Sequence, residues 1–221
     1  MYKKTLALVG MLAVTLSMPA QNSDTLISKQ ILKQKVVDNG GSGMFKAVAV
    51  KEKGLPDFVI YRPKDFLHTH ARQGALPILM FGNGGCADTS IGYERMLTEI
   101  ASHGYVVVAI GEMQDKRFDR PEGHTPSSEL KRGLDWITEQ SKTKGSDYYQ
   151  NVDPERVAAA GHSCGGAQVL ANAADPRLKT YLILNAGMGD MEMADASKES
   201  LPNVHGPISR PSVIRSIPPI T

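Results

Sequence analysis

Arg156-Val157-Ala158-Ala159-Ala160-Gly161-His162-Ser163-Cys164-Gly165-Gly166-Ala167-Gln168-Val169-Leu170 is the stretch that decides how this chain folds. Arg156 to Gly161 reads as a strand of small residues, and Gly165 to Ala174 as a helix whose small residues let it lie close to a sheet. Between them Gly161-His162-Ser163-Cys164-Gly165 matches G-x-S-x-G where strand hands over to helix. A serine there is expected on a tight, strained turn, and the residues two before and two after it must lack bulk because the two backbones nearly touch. Gly161 and Gly165 meet that demand, with His162 inside the elbow. A plain glycine-rich connection is the alternative; the strand before and the helix after favour a nucleophilic Ser163.

Working outward, Pro77 opens Ile78-Leu79-Met80-Phe81, an apolar run that fits a fully buried strand and ends in Gly82-Asn83-Gly84-Gly85-Cys86. Tyr93, Met96, Leu97 and Ile100 then fall on one helical stripe, which Gly104 stops, and Tyr105 to Ile110 is the next strand. Thr125-Pro126 resembles an N-cap followed by Pro at the first helical position, with Leu130, Leu134 and Ile137 on the buried face. Thr180 to Leu184 is a further strand. Towards the N-terminus, Phe45 to Val50 and Phe58 to Tyr61 flank the turn Gly54-Leu55-Pro56-Asp57 and predict an antiparallel pair. Residues 24–38 carry Leu26, Ile27, Ile31, Leu32, Val36 and Val37 at roughly helical spacing and predict a marginal helix. The class is therefore α/β: a mostly parallel sheet with helices on both faces and an antiparallel N-terminal strand pair.

A serine nucleophile also needs donors for the oxyanion. One is the N–H of the residue after it, Cys164, and the other should come from a loop following an earlier strand, here the glycine-rich loop at 82–86. Neither loop matches a phosphate-binding glycine fingerprint.

Leu76 to Gly111 and Gly161-His162-Ser163-Cys164-Gly165-Gly166 resemble the α/β-hydrolase superfamily, in the branch of polyester hydrolases, bacterial cutinases, chlorophyllases and dienelactone hydrolases. The resemblance covers roughly residues 44 to 206 and is specific at the two glycine-rich motifs. It implies a serine ester hydrolase acting on a small-molecule or polymeric ester with no metal or organic cofactor. It matches Ser163 to the nucleophile and Cys86 and Cys164 to the positions whose amides form the oxyanion hole, with Gly85 as the alternative in the first loop. It also places Cys86 and Cys164 near each other. They are the two cysteines of the chain, and an even count in an exported protein favours a disulfide between them. The alternative leaves both reduced, Cys164 as a small buried helix residue and Cys86 as a loop residue. Thiol chemistry at Cys164 is a third reading, which pairing would consume.

The departure from that family lies downstream. Its triad runs Ser, then Asp or Glu, then His, on loops after later strands. Here Val204 to Ile208 resembles the start of the next core strand, yet Ser209-Arg210-Pro211-Ser212 follows and prolines recur to the end, which a central strand would not tolerate. The expectation is an incomplete α/β-hydrolase fold, with a partial domain at 44–208 and a non-native-looking tail at 209–221. Asp190, Asp195 and His205 lie downstream of Ser163 but make no triad by spacing. His68 and His70 form an H-x-H pair in a loop, read as solvent-facing because a third ligand is lacking; no metal site is expected. His103 fits a helix end and His124 a loop.

Composition bounds the rest. The chain has 221 residues, 41% apolar and 22% charged, which suits one globular domain. Lys3 and Lys4, the uncharged stretch Thr5 to Met18 and the small Ala20 read as a signal peptide over 1–20, followed by a helix and linker over 21–43. The apolar run is shorter than the roughly 18 residues a membrane span needs, so no membrane span is expected after signal removal. The net charge of +2 falls to zero without Lys3 and Lys4, which argues against nucleic acid as a partner. The expected location is secreted or periplasmic. The expected function is a secreted serine esterase by descent, weakly active or inactive because acid and His are missing. The alternative is a pseudo-hydrolase or fragment that only binds an apolar ester-like ligand.

Overall fold

A computed structural model describes residues 30–116, 123–187, 189 and 192–195. The signal peptide at 1–20, Asp190, His205, the segment Val204 to Ile208 and the tail at 209–221 lie outside the described residues.

Seven strands form one sheet: β1 Ile31–Lys35, β2 Ala47–Glu52, β3 Leu55–Pro63, β4 Leu76–Gly82, β5 Val106–Ile110, β6 Val152–His162 and β7 Leu178–Leu184, in the order β1-β2-β3-β5-β4-β6-β7. The β1–β2, β2–β3 and β3–β5 pairs are antiparallel, and β5–β4, β4–β6 and β6–β7 are parallel. Only β1 and β3 thus run against the common direction, and the sheet is mostly parallel. The Phe58 to Tyr61 run pairs with the Phe45 to Val50 run as its alternation requires, Val50 opposite Ile60 and Ala49 opposite Tyr61.

Helices α1 Phe66–Gln73, α2 Glu94–Ser102, α3 Ser128–Lys142 and α4 Cys164–Ala171 complete the described fold. Leu97 and Ala101 of α2 pack on Ala49, Val59, Phe81, Val107 and Ala109 on one face of the sheet. Leu130, Leu134 and Ile137 of α3 and Val169 of α4 pack on Phe58, Ile60, Met80, Val108 and Ile110 on the other. A strand covered on both faces reads as a continuous apolar run, which is why Val106–Ile110 is buried at every position.

Four local expectations are corrected. Ile31–Lys35 is a strand and not part of a helix. A short amphipathic helix must meet its own nucleation cost, whereas β2 offers this segment a ready set of backbone partners. Leu32 and Val36 are consequently exposed rather than gathered on a buried helical face. Helix α3 begins at Ser128, after the Thr125-Pro126 pair, because the Thr125 hydroxyl and N–H are both given to Cys86 O, at 2.9 and 2.8 Å. On α2, Met96 is exposed and Thr98 and Ser102 are buried, a rotation of the face set by Ser102 Oγ accepting the Gly43 N–H at 2.9 Å. His68 and His70 stand exposed on α1 rather than in a loop, the helix being capped by the Asp65 carboxylate accepting the His68 N–H at 2.9 Å.

Candidate active site

The parallel strands β4 and β6 end side by side, Gly82 opposite Gly161, and their two loops form the candidate site. At the end of β6 the chain turns through Ser163, whose φ of 49° and ψ of −122° put a non-glycine residue in a strained region of backbone space. Its N–H donates to Leu184 O at 2.8 Å, and its carbonyl accepts the N–H of Gly166 at 2.8 Å, so β7 and the first turn of α4 hold the turn from both sides. The neighbouring glycines follow from close backbone approach. A Cβ on Gly161 would lie 2.1 Å from Gly165 O, and one on Gly165 would lie 2.2 Å from Gly82 C and O. Cys164 is the first residue of α4, where a helix leaves its N–H groups without intrahelical acceptors. The Ser163 side chain is half-buried, and among the described residues no imidazole or carboxylate hydrogen-bonds its hydroxyl.

The loop after β4 is a single tight turn, Gly84–Cys86, with positive φ at Gly85 (65°) and Cys86 (49°). Buried Asn83 fixes it by donating Nδ2–H to Ile110 O at 2.7 Å and Ala87 O at 2.9 Å. Within the turn the Cys86 N–H is given to Asn83 O at 3.1 Å and the Gly84 N–H to the Tyr93 hydroxyl at 3.0 Å. The exposed Gly85 N–H has no acceptor among the described residues, which makes it the available donor of this loop, where the Cys86 N–H is occupied.

Cys86 and Cys164 form a disulfide with their Cα atoms 5.2 Å apart, inside the range such a bond requires. It ties the two loops covalently and is wholly buried with Ala167 and Ala194. Thiol chemistry at Cys164 is thereby excluded in this state. His124, exposed, brings a ring nitrogen within 4.8 Å of both sulfurs, a ligand-like grouping that the disulfide deprives of thiolates. His162 Nδ1 lies 2.9 Å from the Tyr93 hydroxyl. His103 ends α2 beside Glu99, at 3.0 Å, and Asp195 stands exposed with only its backbone engaged, its carbonyl accepting from Ser127 Oγ at 3.3 Å. None of these meets Ser163.

Three residues that sequence reading missed build the site. Gln168, fully buried on α4, donates Nε2–H to Thr125 O at 2.7 Å and Thr125 Oγ1 at 3.1 Å, and Thr125 in turn holds Cys86 O. Tyr93, read as part of an apolar stripe, has its hydroxyl between the two loops. Asn83 was visible only as a loop residue. A lone polar side chain inside the otherwise apolar run Ala167 to Ala171 was the one available signal for Gln168.

Two strand-end loops, one with a strained serine before a helix and one with a free amide at Gly85, make an arrangement suited to acyl transfer. No curated protein matches the chain. The family described as PETase, PET hydrolase-like, matches residues 58–192, more than half of the sequence, from within β3 to just beyond β7. With that match and this fold, the chain belongs to the PET hydrolase-like family of α/β-hydrolases, whose general chemistry is ester hydrolysis.

Proposed function

We propose that this protein is a secreted serine ester hydrolase by descent in which Ser163 is the nucleophile. The observation that carries the reading is the backbone of Ser163, a non-glycine residue held at positive φ between two glycines that admit no Cβ. Ser163 Oγ attacks the ester carbonyl and the alcohol leaves with a proton, giving an acyl-enzyme that water hydrolyses to free the acid and restore the hydroxyl. The developing oxyanion is received by the Cys164 N–H and by an amide of the loop after β4, Cys86 in the family pattern or Gly85 by its unpaired N–H. The substrate is a small-molecule or polymeric ester. Secretion is supported by the buried disulfide, which persists in an oxidising compartment.

The base is the weak point. No His or acid among the described residues hydrogen-bonds Ser163, and loss of triad members removes about four to six orders of magnitude in turnover. The chain as it stands therefore turns over slowly or not at all, and the same observation favours, as a second reading, a non-catalytic protein that binds an apolar ester-like ligand.

The test is to treat the purified chain with a fluorophosphonate probe and a chromogenic short-chain ester. Slow labelling mapped by mass to Ser163, absent in Ser163→Ala, with turnover close to background, is the expected result. Robust turnover that survives Ser163→Ala overturns the nucleophile; robust turnover abolished by it overturns the proposed inactivity.

A further inference from the structure

Three chain segments meet at one hydroxyl. Tyr93, in the turn that leads into α2, packs its ring at a tilt against Phe81 at the end of β4, with ring centroids 5.0 Å apart. Its oxygen accepts the Gly84 N–H at 3.0 Å, and the same hydroxyl lies 2.9 Å from His162 Nδ1, the residue directly before Ser163. The junction is closed: a Cβ on Gly84 would come within 2.6 Å of both the Tyr93 oxygen and His162 Nδ1. The role of the tyrosine oxygen towards Gly84 follows from proton inventory. A backbone N–H can only donate, so the tyrosine oxygen is the acceptor from Gly84, and it keeps both a hydrogen and a further lone pair for Nδ1. Either way the bond holds the imidazole of His162 to the same oxygen that holds Gly84.

We infer that Tyr93 is a positioning residue for acyl transfer at Ser163: one hydroxyl holds the loop carrying the Gly85 amide against the elbow carrying Ser163 by binding both Gly84 and His162. The inference rests on the esterase reading for its bearing on catalysis. Its physical content is that the turn Gly84–Cys86 is held at both ends, by the disulfide at Cys86 and by Tyr93 at Gly84. Gly85 lies between the two holds with its N–H unpaired. An oxyanion donor is effective only when its position is set before the charge develops, since reorganising it during reaction forfeits the gain. Asn83 anchors the start of this loop to Ile110 and Ala87, and Tyr93 is the hold that ties Gly84 itself to the elbow carrying Ser163.

Tyr93→Phe keeps the ring contact with Phe81 and removes only the hydroxyl, leaving Gly84 N–H and His162 Nδ1 without partners. Gly84→Ala attacks the same junction from the other side: its backbone lies outside the positive-φ set, so the added Cβ brings no backbone strain and collides only with the Tyr93 and His162 side chains. In the full chain, ¹⁵N spectra of His162 and hydrogen exchange at the Gly84 amide read the junction directly, and the rate of fluorophosphonate labelling at Ser163 reads the consequence. The expected result for both variants is changed His162 ring-nitrogen shifts, faster Gly84 exchange and labelling slowed about 10-fold, as for loss of a hydrogen bond that orders a donor. Unchanged His162 and Gly84 signals in Tyr93→Phe overturn the inference whatever the labelling does. Changed signals with an unaltered labelling rate overturn the positioning role. A wild-type chain whose Ser163 reacts with no electrophile overturns the esterase reading and Tyr93's role in it, while the spectra still decide whether Tyr93 holds the junction.

Discussion

The two halves of the sheet are built by opposite means. Around β4, β6 and α4 the packing is backbone against backbone: Gly161, Gly165 and Gly82 meet with no room for a side chain, and Ala158, Ala159, Ala160 and Ala167 continue the close approach. Around β2, β3 and α3 the packing is between large side chains, with Phe58, Tyr61 and Tyr148 fully buried and Trp136 stacked edge-on to Tyr148 at 5.4 Å. That half also buries an ionisable group. Glu52, 2% exposed, accepts the Tyr148 hydroxyl at 2.6 Å, and burial raises its carboxyl above the usual carboxylate range. The difference teaches where each half can give way. Side chains can repack around an intruding atom, but two backbones in contact cannot, so the half that carries the candidate site is the rigid one.

The largest effect expected from this comparison is covalent. The Cys86–Cys164 bond joins residues 78 apart in sequence, and constraining the unfolded chain over such a loop contributes about 4 kcal/mol. A Cys86→Ser, Cys164→Ser double variant should lose most of that in urea denaturation, and dithiol reductant should lower the wild-type midpoint while leaving the variant unmoved. Equal midpoints with and without reductant would break the account.

A paired substitution sharpens the contrast between the halves. Gly165→Ala sets a Cβ 2.2 Å from the Gly82 backbone and should destabilise by at least about 3 kcal/mol, the upper range for overpacking. Gly133→Ala, in the middle of α3, meets Phe58 Cε1 at 2.7 Å and Met80 Cε at 3.0 Å, both side-chain atoms. Strain there is offset by roughly 1 kcal/mol of helix propensity, leaving the variant within about 1 kcal/mol of wild type. Similar losses in the two variants, measured by thermal or urea melts, would remove the distinction.

The smallest effect is electrostatic and its sign follows from burial. Because the folded-state pKa of Glu52 is raised, its contribution is fully present below the ordinary carboxylate pKa and is lost as pH rises through the folded value. Glu52→Gln has no such loss and keeps an oxygen for the Tyr148 hydroxyl. The stability of the variant relative to wild type should therefore increase between pH 4 and pH 7. A difference that stays flat across that window counts against an uncharged preference at Glu52.

Much of this is legible in the sequence. The strand-turn-helix around Ser163 could be read because its demand is steric and local, glycines two residues either side of one serine. The buried runs at Ile78 to Phe81 and Tyr105 to Ile110 could be read because burial on both faces leaves a continuous apolar string. The antiparallel pair was announced by its turn. The segment at 31–35 was misread because its apolar spacing suits either a helix or an edge strand, and only the presence of β2 alongside chooses between them.

What the sequence determined by itself is therefore the α/β class, the site of the strained serine, the two glycine-rich loops and the family they belong to. The tertiary structure alone decided which atoms those loops offer one another. Cys86 spends its amide inside its own turn while Gly85 keeps one unpaired, Gln168 and Thr125 brace the loop from α4, and Tyr93 joins Gly84 to His162. The physical reason is one of range. Glycine spacing and apolar runs are constraints between neighbours in sequence, whereas a hydrogen bond between residues 9, 43 or 69 positions apart exists only after the sheet has set the distance between its strand ends.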